Sequence, residues 1–216
     1  MSSNGSLVLA LLAAGVVSLA AAPADAGKLV QIKNCTEITA PGSYALKTDL
    51  PGKKGLLPGG DCLVVSADFV TIDLRGHTIT GDGTGDCITD GGVARRGTAV
   101  RDGTVTGCKT GIDLNASRAS LVEAVRAIGN DDYGIRAGFA ARVRDCLAAD
   151  NGSIGIRVLP GSVVTHSTAD GNGGVGINGH CPVAVLGSVA TDNGIVGIPP
   201  AFPGKNCAFE NNTSDD

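Results

Sequence analysis

Aromatic residues are scarce in this chain. Its 216 residues include 2 Tyr, 4 Phe and no Trp, and the single Met is Met1. This composition argues against a membrane barrel that depends on belts of aromatic residues. Gly is common, at 33 residues, but stays far below the one-third share that a collagen requires.

Positive charge is also in short supply. Lys and Arg number 17 against 21 Asp and Glu, which gives a formal net charge of −4 at pH 7. Proteins that hold nucleic acid through its phosphates carry an excess or a patch of basic residues. We therefore expect no nucleic-acid partner.

Long apolar runs are missing except near the N-terminus. Residues 7–22 are all Leu, Val, Ala, Gly or Ser, a run too short to span a bilayer comfortably. Residues 24–26, Ala-Asp-Ala, form a small-residue cleavage site. We predict a signal peptide at 1–26, a secreted or periplasmic protein that begins at Gly27, and no membrane span after cleavage. A retained anchor is the alternative, because no Lys or Arg precedes the run.

The most informative feature that is present is an internal repeat. Four segments begin with Asn and end with Gly-Ile, and they recur every 21 residues. They are 130–135, 151–156, 172–177 and 193–198. The same frame continues more loosely upstream through Gly111, Cys87 and Cys62. A period of this length is typical of a solenoid, in which each repeat forms one coil.

The residues within each repeat favour strands. Runs such as 69–74 and 163–167 place β-branched residues between Gly, Asn and Asp, and no apolar residues recur at helical spacing. Strands that recur at a fixed period stack in parallel, about 4.8 Å apart. The sequence therefore predicts an all-β fold, a parallel β-helix of about seven coils at 61–198. Caps are expected at 27–60 and 199–216, because the open ends of a solenoid need cover.

Three columns of the repeat have expected structural roles. Ile135 and its equivalents should form a ladder inside the coils. Asn130 and its equivalents should mark a bend, because Asn tolerates left-handed φ/ψ and its amide can bond its stacked neighbours. A ladder of ligand-binding amides is the alternative. Gly134 and its equivalents are expected to let the backbone turn tightly.

Two segments resemble the pectin-lyase-like right-handed β-helix superfamily. Residues 38–44, Ile-Thr-Ala-Pro-Gly-Ser-Tyr, look like the family's leading strand, and residues 70–79, Val-Thr-Ile-Asp-Leu-Arg-Gly-His-Thr-Ile, look like its strand-and-turn pattern. The resemblance covers roughly residues 35–200 and implies a right-handed parallel β-helix. It does not select an activity, because the superfamily includes lyases, hydrolases, epimerases and noncatalytic proteins.

The catalytic motifs of that superfamily are incomplete here. Asp131-Asp132 matches the acidic pair of the polygalacturonase-like hydrolases, but His180 lies in Gly-His-Cys and Arg-Ile-Lys is absent. The Trp-containing motif of pectate lyases and the Asp-Pro-His-Asp pattern of alginate epimerases are also missing. His77 is expected to form structural hydrogen bonds, and no metal or other cofactor is expected. We predict a noncatalytic protein that binds or scaffolds at the cell envelope; the alternative is a polysaccharide lyase, hydrolase or epimerase.

One outward column is a candidate ligand site. The residue after each Gly-Ile should point to solvent, and this column reads Asp113, Arg136, Arg157, Asn178. Two guanidinium groups about 4.8 Å apart could hold the carboxylates of an anionic polysaccharide. The alternative is a solvated face on which Asp113 and Arg136 merely pair.

Seven Cys in an exported chain predict disulfide bonds and one free thiol. Sequential pairing joins Cys35 to Cys62, Cys87 to Cys108 and Cys181 to Cys207; Cys62 with Cys87 is the main rival. Cys146 shares a column with Val125, Ser167 and Ser188, so we expect an inert buried thiol.

Overall fold

The structure, a computed structural model, describes residues 29–52, 56–198 and 207–215. The expected signal peptide lies outside the described residues, as do residues 199–206 of the expected C-terminal cap. The described part of the chain is built from 21 β-strands that pair in parallel and form two sheets. None of the described residues forms a helix with the length and apolar character needed to cross a membrane.

Sheet 2 has seven strands, one from each turn of the chain. They are β2 (Thr36–Ile38), β4 (Leu63–Val65), β7 (Ile88–Thr89), β9 (Ile112–Arg118), β11 (Ile135–Phe139), β14 (Ile156–Val158) and β17 (Ile177–Gly179). The all-β parallel β-helix of about seven coils is therefore confirmed.

Sheet 1 has 14 strands and is bent along its length into two sides. The first side contains β1 (Val30–Ile32), β3 (Gly42–Leu46), β5 (Val70–Asp73), β12 (Arg142–Arg144), β15 (Ser162–Thr165), β18 (Val183–Leu186) and β20 (Ala208–Glu210). The second side contains β6 (Thr78–Thr80), β13 (Leu147–Ala149), β16 (Thr168–Asp170), β19 (Val189–Thr191) and β21 (Thr213–Ser214). Strands β8 (Ala99–Thr106) and β10 (Leu121–Ile128) run across both sides.

Each full coil therefore has three sides and three corners. The first corner joins sheet 2 to sheet 1, the second is the bend inside sheet 1, and the third leads back towards sheet 2. A residue with positive φ stands at most of these corners and changes the chain direction within one residue. The first-corner residues are Phe69, Gly97, Ala119, Ala140 and Gly161; those of the second are Arg75, Asp102, Ala124, Asp145, His166, Gly187 and Asn211; those of the third are Gly107, Gly129, Asp150, Gly171 and Asp192.

The expectation that the repeated Asn residues adopt the left-handed conformation is wrong. The positive φ belongs to the residue before each Asn, such as Asp150 with φ 54°. The buried Asn side chain then stabilises the bend through its amide. Asn151 Nδ2 donates to Asn172 Oδ1 at 2.9 Å, and the backbone N–H of Asn151 donates to the same oxygen at 3.1 Å. The burial of Asn151, with 1% of its surface exposed, makes it a structural residue.

The glycines of the Gly-Ile motif are explained by close contact between coils. The φ of Gly155 is not positive. The expected tight turn therefore does not explain why Gly recurs at this position of the repeat. A Cβ at Gly155 would lie 2.7 Å from Asn172 Nδ2 and 2.7 Å from Gly176 O of the next coil. Only a residue without a side chain fits between the Asn ladder and the neighbouring backbone.

The interior is a stack of aliphatic side chains. Ile112, Ile135, Ile156 and Ile177 pair in register on sheet 2 and are fully buried. The stack begins within residues 27–60, because β2 pairs with β4 and β3 pairs with β5. At the other end, β20 and β21 continue sheet 1 beyond β18 and β19.

Three disulfide bonds tie coils together and match the sequential pairing. They join Cys35 to Cys62, Cys87 to Cys108 and Cys181 to Cys207, with Cα–Cα distances of 4.4, 5.6 and 5.4 Å. Cys146 is buried and free. Its N–H donates to Ser167 Oγ at 3.3 Å, as expected for residues in one column. Burial raises the pKa of its thiol to about 12, which makes it unreactive in the folded protein.

Candidate functional site

The predicted outward column lies on sheet 2 and is in register. Arg136 pairs with Asp113 on one side and with Arg157 on the other, and Arg157 pairs with Asn178. The alternation of the strands leaves all four side chains partly exposed while the neighbouring Ile residues are buried. The structure thus brings the four predicted residues together along about 15 Å of one face.

Arg136 is held in place by two neighbours. Its Nη1 donates to Asp113 Oδ2 at 3.2 Å, and its guanidinium carbon lies 5.3 Å from the centre of the Tyr133 ring. Its Nε is buried and has no hydrogen-bond partner among the described residues. The Tyr133 contact was not foreseen from the sequence. The recurring position before Gly-Ile holds Tyr133, Ile154 and Val175, so the repeat shows the column but does not distinguish the aromatic residue within it.

Arg157 has a different environment. It makes no ion pair or side-chain hydrogen bond within the described parts of the chain, and it is only partly exposed. Its positive charge nevertheless acts on its surroundings. It lowers the pKa of His180, although burial is the larger cause of that shift, and it opposes the rise in the pKa of Asp113. Arg157 is therefore the charge in this column that is available to a ligand.

Carboxylates lie at the N-terminal end of the same face. Burial raises the pKa of Asp86 to about 6, and the negative charges of Asp113 and Asp61 add to the effect. Burial also raises the pKa of Asp113, with Arg136 acting in the opposite direction. The N–H groups of Thr110 and Asn115 donate to Asp86 and Asp113 respectively. The face thus changes from acidic to basic along the axis.

The other sequence candidates are not assembled into one site. Asp131-Asp132 precedes β11, whereas His180 follows β17, so these residues lie at opposite ends of their strands and in different coils. His77 Nδ1 lies 3.1 Å from Asp49 Oδ1, consistent with the expected structural role. Across the described ranges, no three His, Cys, Asp or Glu side chains are grouped to hold a metal ion.

Sequence reasoning missed a second surface, at the first corner. We call it the corner ridge and define it by Phe69, Val93, Arg95, Arg96, Arg118 and Phe139. Arg96 and Arg118 are neighbours across two coils, and the Arg118 guanidinium lies 5.1 Å from the centre of the Phe139 ring. The ridge was obscured because the coils that carry it are 23 to 25 residues long and fall outside the regular 21-residue frame. The corner positions Phe69, Gly97, Ala119 and Ala140 share positive φ but not one residue identity, so the sequence alone gives no signal for the ridge.

A comparison with protein families agrees with this architecture. The family model described as "Right handed beta helix region" matches residues 56–190. Among solved structures, the Dettilon tailspike protein is similar at 13% identity and a TM-score of 0.44. The similarity covers 76% of this chain and 42% of the tailspike chain, so this chain spans less than half of that protein. No protein with a curated description matches the chain. Since the family model covers more than half of the sequence, the chain belongs to the right-handed β-helix family.

Proposed function

We propose that the protein is a noncatalytic binding protein of the cell envelope, and that Arg136 and Arg157 on sheet 2 hold an anionic polysaccharide. The observation that carries the proposal is Arg157, which forms no ion pair within the described residues and lies one strand spacing from Arg136. A guanidinium group recognises a carboxylate through paired N–H donors. The three disulfide bonds support an oxidising compartment, where such polymers occur.

The two arginines have separate tasks in this proposal. Arg136 is fixed by Asp113 and Tyr133, so it loses little freedom when a ligand arrives. Arg157 supplies the unpaired charge. Both arginines are partly exposed and would act through their charge, so affinity should be modest and should depend on salt.

The test is binding of polygalacturonate and alginate to the wild type and to Arg157→Gln. Loss of this charge should weaken binding severalfold, because an ionic contact is removed while the length of the side chain is nearly kept. Arg136→Gln also leaves Asp113 without its partner, so Arg157→Gln is the cleaner variant. Arg126→Gln is the matched control, because it removes the same charge from an exposed site on sheet 1.

Salt gives a second measurement on the same proteins. The Debye length falls from about 30 Å to below about 10 Å as ionic strength rises from about 10 mM to about 200 mM. Binding through Arg157 should weaken over this range. The proposal fails if wild type binds neither polymer, or if Arg157→Gln binds as tightly as Arg126→Gln.

A polysaccharide-active enzyme is the second candidate, and Asp86 is the observation that favours it. A carboxyl group with a pKa of about 6 stays partly protonated near neutral pH and can act as a general acid. Asp113 is a second carboxyl on the same face. The test follows unsaturated products by ultraviolet absorbance and new reducing ends on uronate polymers. Activity that is lost in Asp86→Asn and kept in Asp82→Asn would favour the enzyme over the binding protein.

A further inference from the structure

We infer that the corner ridge is a docking surface for an anionic phospholipid membrane. This inference is independent of the polysaccharide site, because the ridge lies at the first corner and uses other residues. It requires no membrane-spanning segment. The occupant is identified from three observations: unpaired charge, exposed apolar side chains and a strained aromatic residue.

The ridge concentrates positive charge on an acidic protein. Arg95, Arg96 and Arg118 make no ion pair within the described part of the chain. Asp68 is an acidic neighbour on the adjoining coil, and its carboxylate accepts the backbone N–H of Arg96 at 3.0 Å. The chain as a whole has a net charge of −4. Arg95 Nε donates to Val65 O at 3.3 Å, which leaves the exposed Arg96 and Arg118 as the charges most accessible from solvent. Guanidinium groups clustered on such a chain are complementary to phosphate groups.

Apolar side chains project from the same place. Phe69 is 66% exposed, Val93 is 51% exposed and Phe139 is 38% exposed. The first and last of these are three strand spacings apart, about 14 Å along the axis. Scattered exposed apolar residues are normal, but a group beside unpaired arginines is typical of a surface that enters the boundary between lipid headgroups and acyl chains.

Phe69 has a backbone conformation that is unfavourable for a bulky residue. Its φ is 56°, and the residues at the same corner in the other coils are Gly97, Ala119, Ala140 and Gly161. A bulky side chain with positive φ is a true outlier. Phe69 gains no compensating burial, because two-thirds of it faces solvent. Strain retained at an exposed position points to a role outside the folding of the chain.

The chemistry favours lipid over a soluble glycan. A sugar ring can stack on Phe69 or Phe139 through its C–H groups, but its hydroxyl groups find neither a donor nor an acceptor on the side chain of Val93. A phospholipid surface places phosphate groups, which guanidinium recognises, directly above apolar chains. The arginines and the exposed apolar side chains of the corner ridge would then contact the same lipid surface.

The test is co-sedimentation of the exported protein with phosphatidylcholine vesicles, with and without phosphatidylglycerol. The wild type should bind only the vesicles that contain phosphatidylglycerol. Arg96→Gln with Arg118→Gln should reduce binding by about fivefold for each charge. Phe69→Asn should reduce binding by about tenfold while making the fold more stable, because Asn tolerates the positive φ.

Matched controls separate the ridge from general effects. Ile195→Asn removes an apolar side chain that is 76% exposed in another coil, and Arg126→Gln removes a charge elsewhere; both should bind as wild type does. All variants share one N-terminus, so any contribution from it is common to them. Circular dichroism checks that each variant is folded.

Each contrary result overturns the inference. Wild type that ignores phosphatidylglycerol vesicles, or ridge variants that bind as the controls do, would show that the ridge is not a lipid surface. Ridge variants that lose binding to soluble polygalacturonate, in a wild type that does not bind vesicles, would assign the ridge to a glycan. Failure of Arg157→Gln to weaken glycan binding would affect only the proposed function.

Discussion

Asn172 bonds to the coils on both sides of its own. Its Oδ1 accepts the backbone N–H and the Nδ2 of Asn151, while its Nδ2 donates to Ala148 O and Asn193 Oδ1. All of these atoms lie in a buried or nearly buried ladder. A single residue therefore satisfies polar groups in three successive coils.

Replacing Asn172 by Ala should destabilise the protein by about 3 kcal/mol, because it leaves several buried donors and acceptors without partners. Asn178→Ala is the control, since Asn178 lies on the outer face and is partly exposed. Urea denaturation measures both. Equal stability of the two variants would mean that the ladder contributes nothing.

Asp86 gives stability a specific dependence on pH. Its folded-state pKa of about 6 lies above its ordinary value of 3.8, so the folded protein binds this proton more tightly than the unfolded chain does. The free energy of unfolding should therefore fall as pH rises from about 3.8 to about 6, and the loss should be complete above that range.

Asp86→Asn should remove this loss. We expect the variant to be more stable than wild type by about 1 kcal/mol above pH 6, after allowance for solvent screening, and equally stable below pH 3.8. Asp82→Asn is the control. Hydrogen bonds from Thr84 lower the pKa of Asp82, so this substitution should decrease the free energy of unfolding near neutral pH rather than increase it. Denaturation curves at several pH values measure this difference. A gain in the stability of Asp86→Asn that is the same at every pH would show that the pKa of Asp86 is not its cause.

At the scale of the element, several corners combine one positive-φ residue with an inward polar residue directly after it. Asn151 follows Asp150 at the third corner, and Ser167 follows His166 at the second. The Oγ of Ser167 accepts the N–H of Cys146, just as the Asn amide does in its own ladder. Cys108 occupies the ladder position of its coil, where its N–H donates to Asn130 Oδ1. At these corners an inward polar side chain therefore accepts a backbone N–H of the preceding coil.

The sequence allowed some of these features to be predicted and concealed others. The 21-residue period placed the Ile ladder and the outward Arg136 and Arg157 correctly, because identical residues recur at those positions. The disulfide partners followed from sequential pairing instead, since only one of the three pairs is 21 residues apart. The period misplaced the left-handed residue, because Gly129, Asp150, Gly171 and Asp192 share a backbone conformation but not an identity. Coils near the N-terminus were hidden because Cys35 and Cys62 are 27 residues apart. Tyr133 and the corner ridge depend on the identity of individual side chains. A repeat gives no information about residues that do not recur.

The disulfide bonds are a prediction at this scale. Digestion of the exported protein without reduction should release three cross-linked peptide pairs: Cys35 with Cys62, Cys87 with Cys108 and Cys181 with Cys207. Cys146 should resist iodoacetamide in the folded protein and react after unfolding, because burial holds its pKa near 12. A peptide that links Cys62 to Cys87, or rapid native labelling of Cys146, would reject this scheme.

The whole molecule is a one-dimensional stack in which each coil contacts only its neighbours. The backbone N–H groups of Ile112, Ile135 and Ile156 each donate to the next coil, to Gly134, Gly155 and Gly176. Coils in the middle are held from both sides, whereas β1 and β21 are held from one side. Local stability should therefore be greatest in the middle of the stack.

Hydrogen exchange followed by mass spectrometry tests this expectation. Peptides from β9, β11 and β14 should exchange most slowly, and those from β1, β20 and β21 most rapidly. The rates should change gradually along the axis, because the opening of an end coil disturbs only the coil beside it. Uniform protection from end to end would indicate a single cooperative unit instead.

The equal spacing of the Asn ladder bears on how such a chain can grow. A duplicate of residues 152–172 inserted after Asn172 would bring its own Asn, Gly-Ile and corner residues, so both existing junctions would find the same surfaces as before. The molecule would lengthen by about 4.8 Å without a new core. Genes for such proteins can thus gain or lose whole coils by recombination. The length of the solenoid then changes in equal steps, one step for each 21 residues of sequence.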